Sequence, residues 1–467
     1  MPRDAAAPGE RVFALIAAEM GAAVAPGARM TPLAGGAVLR HFRLDFEVMS
    51  GAHAEPRSWV LRADGASKLG LGLPRAQEFA VLRVLHGAGL KVPRPIFMCC
   101  DKSVLGAPFF VTEFVAGAAS GAAIVAEGAN ESLAAALGRE LARLHVLDLA
   151  GTLRFLGHPP RDAACARLEE LERYLAEDPD PHPVASLALS WLERHKPAPA
   201  RPVLGHGDFR TGNYLVAGRE LRAVLDWDFA QWSDPAEDIA WFCSKLWRCG
   251  ALAREAGGIA PRPAFYGGYE AVAGAPIDPA RIHYWEVMAA LRWLVIALKQ
   301  RDRFLKQGER SLDLALTGRR PAECELEILM LTLGSRAPPL PHPRAGVPRE
   351  CSHERGRPGT REQSPFRDRP SGEELAALAR ERDDPLAMRC RAIAARERSF
   401  GEAGFASCRA ALAARYGAGP DGAGLAALAA ALRAGSRDAE LLAILWTMTL
   451  QKLRESNPEF LAANDLA

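Results

Sequence analysis

Three polar residues could do chemistry together: Asp208 in His206-Gly207-Asp208, Asn213 shortly after it, and Asp226, which opens Asp226-Trp227-Asp228. Phosphoryl transfer asks little covalent chemistry of a protein. It needs an acceptor hydroxyl aligned with the phosphate and neutralisation of charge on the phosphate oxygens. Asp208 can accept the hydroxyl proton, while the Asn213 amide oxygen and the Asp226 carboxylate are hard oxygen ligands of the kind Mg²⁺ prefers. A lone HGD is as easily a turn whose aspartate caps a helix. The combined spacing, the strands around it and the helix start at Asp234-Pro235 turn the balance toward chemistry.

These residues need elements to hold them. NYLV and LRAVLDW flank Ala217-Gly218-Arg219-Glu220 and predict a hairpin, which folds Asn213 and Asp226 back to one place. Asp234 precedes Pro235 as an N-cap precedes the first helical residue, so capping is its expected role. His206 is expected to brace the loop through hydrogen bonds. Upstream, Met30 to about Val115 alternates short apolar runs with glycine and proline, and reads as strand, strand, strand, helix, strand, strand. The helix is RAQEFAVLRVLHGAG, with Phe79, Leu82 and Leu85 on one face. From Glu131 the pattern turns helical through Leu133, Leu137, Leu141 and Leu144. Residues 335–370 shift to proline, arginine and glycine and predict a disordered linker, and helical periods return through Leu425, Leu428, Leu432, Leu442, Leu445, Trp446 and Leu453.

The 467 residues exceed one ordinary core, and 49% hydrophobic with 24% charged residues describes a globular protein. Fifty-eight basic against 56 acidic residues leave a formal charge of +2, no global field for nucleic acid or anionic lipid. The nine cysteines are scattered without a pair of CxxC units, so a reducing cytoplasm is expected rather than a disulfide framework or zinc site. Glu19 interrupts the apolar run RVFALIAAEMGAAVA, which reads as an amphipathic first helix rather than a signal segment, and no uninterrupted apolar stretch is long enough to span a membrane.

HGDFRTGNYLV…AVLDWDFAQWSDPAEDIAW resembles the catalytic core of the aminoglycoside phosphotransferase and choline-kinase-like family. The resemblance covers about residues 30–334. It implies an α+β, two-lobed protein-kinase-like fold: a first helix in 1–29, a small β-rich lobe in 30–116 and a mostly helical lobe in 117–334, with the linker and a small all-α domain in 371–467 following. In that family the matching residues make Asp208 the base and Asn213 and Asp226 the metal ligands, and Asp238 steadies the loop backbone. Arg62 stands where such kinases usually hold a phosphate-gripping lysine, with Glu78 as its partner and Lys68 as the fallback. Gly35 and Gly36 would form the turn over the phosphates, and Thr112-Glu113-Phe114-Val115 would be the hinge, Glu113 and Val115 meeting the adenine edge. The implied cofactors are ATP, with GTP as a variant, and Mg²⁺.

The branch most resembled is the kinase part of certain multidomain acyl-CoA dehydrogenases. That implies a hydroxyacyl-CoA or another metabolic alcohol as acceptor, and leaves a homo-oligomer open. Trp241, Trp247, Arg248, Trp285, Arg292 and Trp293 fall where the fold builds its acceptor pocket, although aromatic residues at helical spacing are commonly packing. The arginine at the lysine position, and Ala37-Val38-Leu39 where the family often has a polar residue, motivate the alternative of a catalytically weak nucleotide-binding regulatory module. A protein kinase is disfavoured because the chain has no HRD, DFG or APE. A fragment ending near Gly334 is expected to carry a complete core of its own.

Overall fold

The computed structural model describes residues 7–33, 39–50, 53–64, 72–334, 369–380, 382, 384–400, 405–417 and 421–466. The chain divides into two compact units, one of residues 1–163 and 199–282, the other of 164–198 and 283–467.

The first unit carries a five-stranded antiparallel sheet in the order β1-β2-β3-β5-β4, from β1 (Arg29–Pro32), β2 (Leu39–Ser50), β3 (His53–Asp64), β4 (Pro95–Cys99) and β5 (Phe109–Glu113). Strand alternation sorts the side chains. Leu44, Phe46, Val48, Trp59, Leu61 and Ala63 pack with Val12 and Ile16 of the first helix, Pro8–Met20. The period of two therefore turns Arg62 and Asp64 to the other face of β3. There they meet Arg75 and Glu78 of the helix Arg75–Gly87. The expected strand order is found. The β4–β5 connection adds a short helix, Lys102–Leu105, that the sequence pattern did not announce.

Two helices of this unit, Glu131–His145 and Arg262–Ala273, meet backbone to backbone. A Cβ on Gly138 would collide with the main-chain oxygen of Phe265, and one on Gly268 with that of Ala135. Beside them lie two small two-stranded sheets: β6 (Val203–Gly205) pairs with β9 (Gln231–Ser233), and β7 (Tyr214–Ala217) forms the predicted hairpin with β8 (Glu220–Val224).

In the second unit the terminal helices do not stand apart. Leu375, Ala379, Ala387, Cys390 and Ile393 share one core with Phe304, Leu312, Leu314 and Ala315. Arg433 of the helix Asp421–Arg433 pairs with Glu172 and Glu193, and Lys452 Nζ reaches Glu325 Oε1 at 2.9 Å. This shared core argues against an independent fold for a fragment ending at Gly334, because cutting there would expose apolar surface now covered by 375–393. Most of the proposed linker lies outside the described residues. Protease nicking within 335–368 is expected to leave both pieces together on native gel filtration. Release of a soluble, monodisperse fragment ending near Gly334 would show that the shared core is dispensable. Among the described residues no helix is long and apolar enough to cross a membrane.

Candidate active site

The loop after β6 rests on one carboxylate. The backbone N–H groups of His206 and Gly207 donate to Asp238 Oδ2 and Oδ1 at 2.7 and 2.9 Å. Asp238 sits in the first turn of the helix Pro235–Cys243, which Asp234 caps by accepting from the Ala236 N–H at 2.9 Å, as expected. His145 Nε2 lies 3.2 Å from Asp238 Oδ2, and Tyr269 holds His145 Nδ1 at 2.9 Å. Burial opposes ionisation of Asp238, but His145 and His206 hold its carboxyl below the ordinary range. His206 braces the loop, since its Nε2 is 2.9 Å from Leu225 O and the Asp208 N–H donates to its Nδ1 at 3.1 Å. Gly207 has φ +77°, and a Cβ there would strike the Phe229 oxygen, so the turn requires glycine.

This loop presents Asp208 with both carboxylate oxygens engaged. Oδ1 accepts from Trp241 Nε1 at 2.8 Å, Oδ2 from Asn213 Nδ2 at 2.6 Å, and Arg210 Nε lies 3.2 and 3.1 Å from the two. Asn213 Nδ2 also donates to the main-chain oxygen of Asp208 at 3.0 Å. With its amide nitrogen spent this way, Asn213 is left with Oδ1 as its ligand atom. Arg210 lies against Trp247, its guanidinium carbon 4.9 Å from the ring centre.

Asp226, past the end of β8, takes a left-handed backbone with φ +67° and pairs with Arg62. Arg62 Nε lies 3.2 Å from Glu78 Oε1, and Arg75 pairs with Glu78 and, at 3.1 Å, with Asp64. Asp228 is 3.8 Å from Arg62 and 3.7 Å from Arg75. Four carboxylates thus share two buried cations. Burial raises the cost of every charge, yet Arg62 holds Asp226 well below the usual carboxylate range, while burial and the Asp226 charge push Asp228 well above it. The two titrate as a pair in which Asp226 gives up its proton more readily than Asp228. Burial also raises Glu78 against the pull of Arg62 and Arg75. Oxygen donors without thiol or imidazole, one of them ionised and partly exposed, fit Mg²⁺.

The expected nucleotide residues are placed unevenly. Arg62 and Glu78 are brought together and joined to Asp226. Glu113 pairs in register with Trp59, three residues along β3 from Arg62 or roughly 10 Å, and Val115 follows it in the link out of β5. The exposed Glu113 side chain meets Arg94 Nε at 3.3 Å. Gly35, Gly36 and Lys68 lie outside the described residues.

Comparison with known proteins bears on this geometry. Residues 32–285, more than half of the chain, match the profile of the phosphotransferase enzyme family. The chain belongs to that family. A candidate aminoglycoside phosphotransferase from Ralstonia eutropha JMP134 superposes on this phosphotransferase with a TM-score of 0.54 at 20% identity, over 69% of this chain and 98% of that one. The kinase-like α+β fold follows from that likeness. Acyl-CoA dehydrogenase family member 10 of Mus musculus is 29% identical over 197 residues, and family member 11 of Pongo abelii 31% over 198, each match covering 40% of this chain. The matched stretch spans only 18% and 25% of those relatives. Residues 385–460 match a domain of unknown function (DUF6285).

Several residues of this candidate site have contacts that the sequence does not predict. Trp241, expected in the acceptor pocket or as packing, hydrogen-bonds Asp208. It lies one helical turn after Asp238 on the same helix face, a spacing that could have announced it. Arg75 stands three residues before Glu78 and was equally visible as a helical pair. Arg210 had no signal beyond standing two residues from Asp208. Arg248 spends its donors on the main-chain oxygens of Cys243 and Leu252. Trp285, Arg292 and Trp293 belong to the second unit.

Proposed function

We propose that this phosphotransferase transfers the γ-phosphate of ATP, with Mg²⁺, to the hydroxyl of a small metabolite, a hydroxyacyl-CoA or related alcohol, in the cytoplasm. The observation that carries the reading is the joining of Asp208 to Asn213 and of Asp226 to Arg62 and Glu78 within one compact unit. On this reading the acceptor oxygen bonds to the γ-phosphorus, the bond to the β–γ bridging oxygen breaks, ADP leaves, and Asp208 receives the hydroxyl proton. Trp241 and Asn213 fix the carboxylate. Arg62, oriented by Glu78, grips phosphate oxygens, Gly35 and Gly36 cover them, and the backbone at Glu113 and Val115 reads the base. Asn213 Oδ1 and Asp226 would hold Mg²⁺, which when bound offsets negative charge on the phosphates. The dehydrogenase names of the relatives support an acyl-thioester acceptor. GTP remains a variant donor, and the lobes are proposed at 30–116 and 117–334 with a terminal helical domain at 371–467.

A second reading, a weak nucleotide-binding regulatory module, is favoured by one observation, the Arg62–Asp226 pair, which occupies a cation that ATP would need. Purified protein incubated with ATP, Mg²⁺ and a panel of alcohols and hydroxyacyl thioesters separates the two. A phosphorylated acceptor, lost on removing divalent ions and indifferent to zinc chelation, is expected. Nucleotide binding without turnover on any acceptor would put the regulatory reading in its place.

A further inference from the structure

The second unit contains a charge cluster that phosphoryl transfer does not use. Arg319 lies in the turn between the helices Leu312–Thr317 and Pro321–Leu333, and Arg369 leads into the helix Gly372–Leu378. Their exposures are 3% and 7%, so both guanidinium groups are out of water. Arg319 donates from Nε to Ser456 Oγ at 3.3 Å and from Nη1 to Pro370 O at 2.6 Å, with Glu397 Oε2 3.6 Å away. Arg369 donates from Nη2 to Glu455. Arg319 Nη2, Arg369 Nε and Arg369 Nη1 are buried and make no hydrogen bond among the described residues. A buried donor left unmatched is destabilising, and more so when charged.

The charges do not balance either. Arg396 donates from Nε to the main-chain oxygen of Glu455 at 2.9 Å and brings a third cation beside the first two. The carboxylates facing the cluster are Glu397, which accepts from the Gly372 N–H, Glu455, whose Oε1 accepts from Gln451 at 3.2 Å, and Glu459, which faces Arg396 together with a fourth cation, Arg389. Four cations against three anions leave one positive charge over. Burial and the neighbouring Arg369 pull the Arg319 guanidinium down to about 9, which still leaves it charged at neutral pH.

We propose that the Arg319–Arg369 cluster is a binding site for a phosphate-type oxyanion, either inorganic phosphate or the phosphate end of a larger ligand. A carboxylate presents two oxygens in one plane. Three donors on two guanidinium groups are better met by a tetrahedral anion with more acceptor oxygens. Such an anion would also remove the surplus charge. The site uses residues of the second unit alone, so it stands whether or not the catalytic reading does.

The test titrates full-length protein with inorganic phosphate and, separately, glycerol 3-phosphate, following melting temperature and calorimetric heat in a chloride buffer. Saturable binding is expected, weakened at least about tenfold in Arg369→Gln, the scale of one charge-assisted hydrogen bond. Asp226→Asn should leave it unchanged, which separates it from binding at the proposed nucleotide site. Tighter binding of the ester would make the anion the end of a larger ligand, and tighter binding of phosphate would make it a free ion. If Arg369→Gln does not fold, Arg396→Gln replaces it; that residue is only half-buried, and losing its charge should weaken phosphate as well. Absence of saturable binding, or binding equally strong in the foldable arginine variant, overturns the proposal.

Discussion

Asp208→Asn is expected to lower turnover about 10²–10⁴-fold, the usual scale for a general base, with nucleotide affinity close to that of the unaltered protein. The side chain keeps its shape but loses the proton-accepting charge. Its new amide nitrogen also faces a donor whichever way it turns, because Trp241 Nε1 and Arg210 occupy one side and Asn213 Nδ2 and Arg210 the other. A modest fall in melting temperature should therefore accompany the loss of rate, and the fluorescence of Trp241 should shift. Steady-state kinetics on the acceptor from the screen, with nucleotide binding measured separately, checks the expectation. Near-normal turnover would remove Asp208 from the mechanism.

Arg62→Met should have the largest effect on stability. It leaves the partly exposed Asp226 without its cation and Glu78, Asp228 and Asp64 around Arg75 alone, and removing one partner of a buried charge network costs roughly 3–5 kcal/mol. Arg62→Lys should recover part of this, keeping the charge but losing the fork that reaches Glu78 and Asp226 together. The pH dependence has a definite sign. Asp226 is held below its unfolded value, so its pairing with Arg62 stabilises the fold above the ordinary carboxylate range and that contribution is lost as pH falls through the lowered value. The gap between the two proteins should accordingly be widest at neutral pH and narrow on acidification. Urea unfolding across that range measures it, and an unchanged midpoint for Arg62→Met would mean that Arg75 alone compensates the cluster.

The local rules were readable where one short stretch of chain sets the geometry. The hairpin at 214–224, the Asp234 cap and the alternation of β2 and β3 follow from turn residues, a proline after an aspartate, and a period of two. Less visible was what depends on separate elements meeting. The Asp208–Trp241 bond needs the phase of a helix relative to a loop 33 residues earlier. The association of Arg62 with Asp226 spans 164 residues and no spacing encodes it, although each residue was singled out for its own reason. The three-residue β9 is too short to show a period. The sharing of a core between 304–315 and 375–393 was hidden because helical periodicity marks which face is buried without saying what covers it.

The bare crossing of the helices Glu131–His145 and Arg262–Ala273 has a mechanical consequence. Gly138 and Gly268 bring backbone against backbone, so that contact has no side chains to change rotamer and absorb a displacement. His145 lies at the end of one helix and Tyr269 on the other, and their contact adjoins Asp238, which carries the amides of His206 and Gly207. The pair of helices therefore acts as a stiff mount for the loop bearing Asp208. A single added methyl group at Gly138, in direct touch with no part of that loop among the bonds described, would wedge the mount apart and be felt as a misaimed carboxylate.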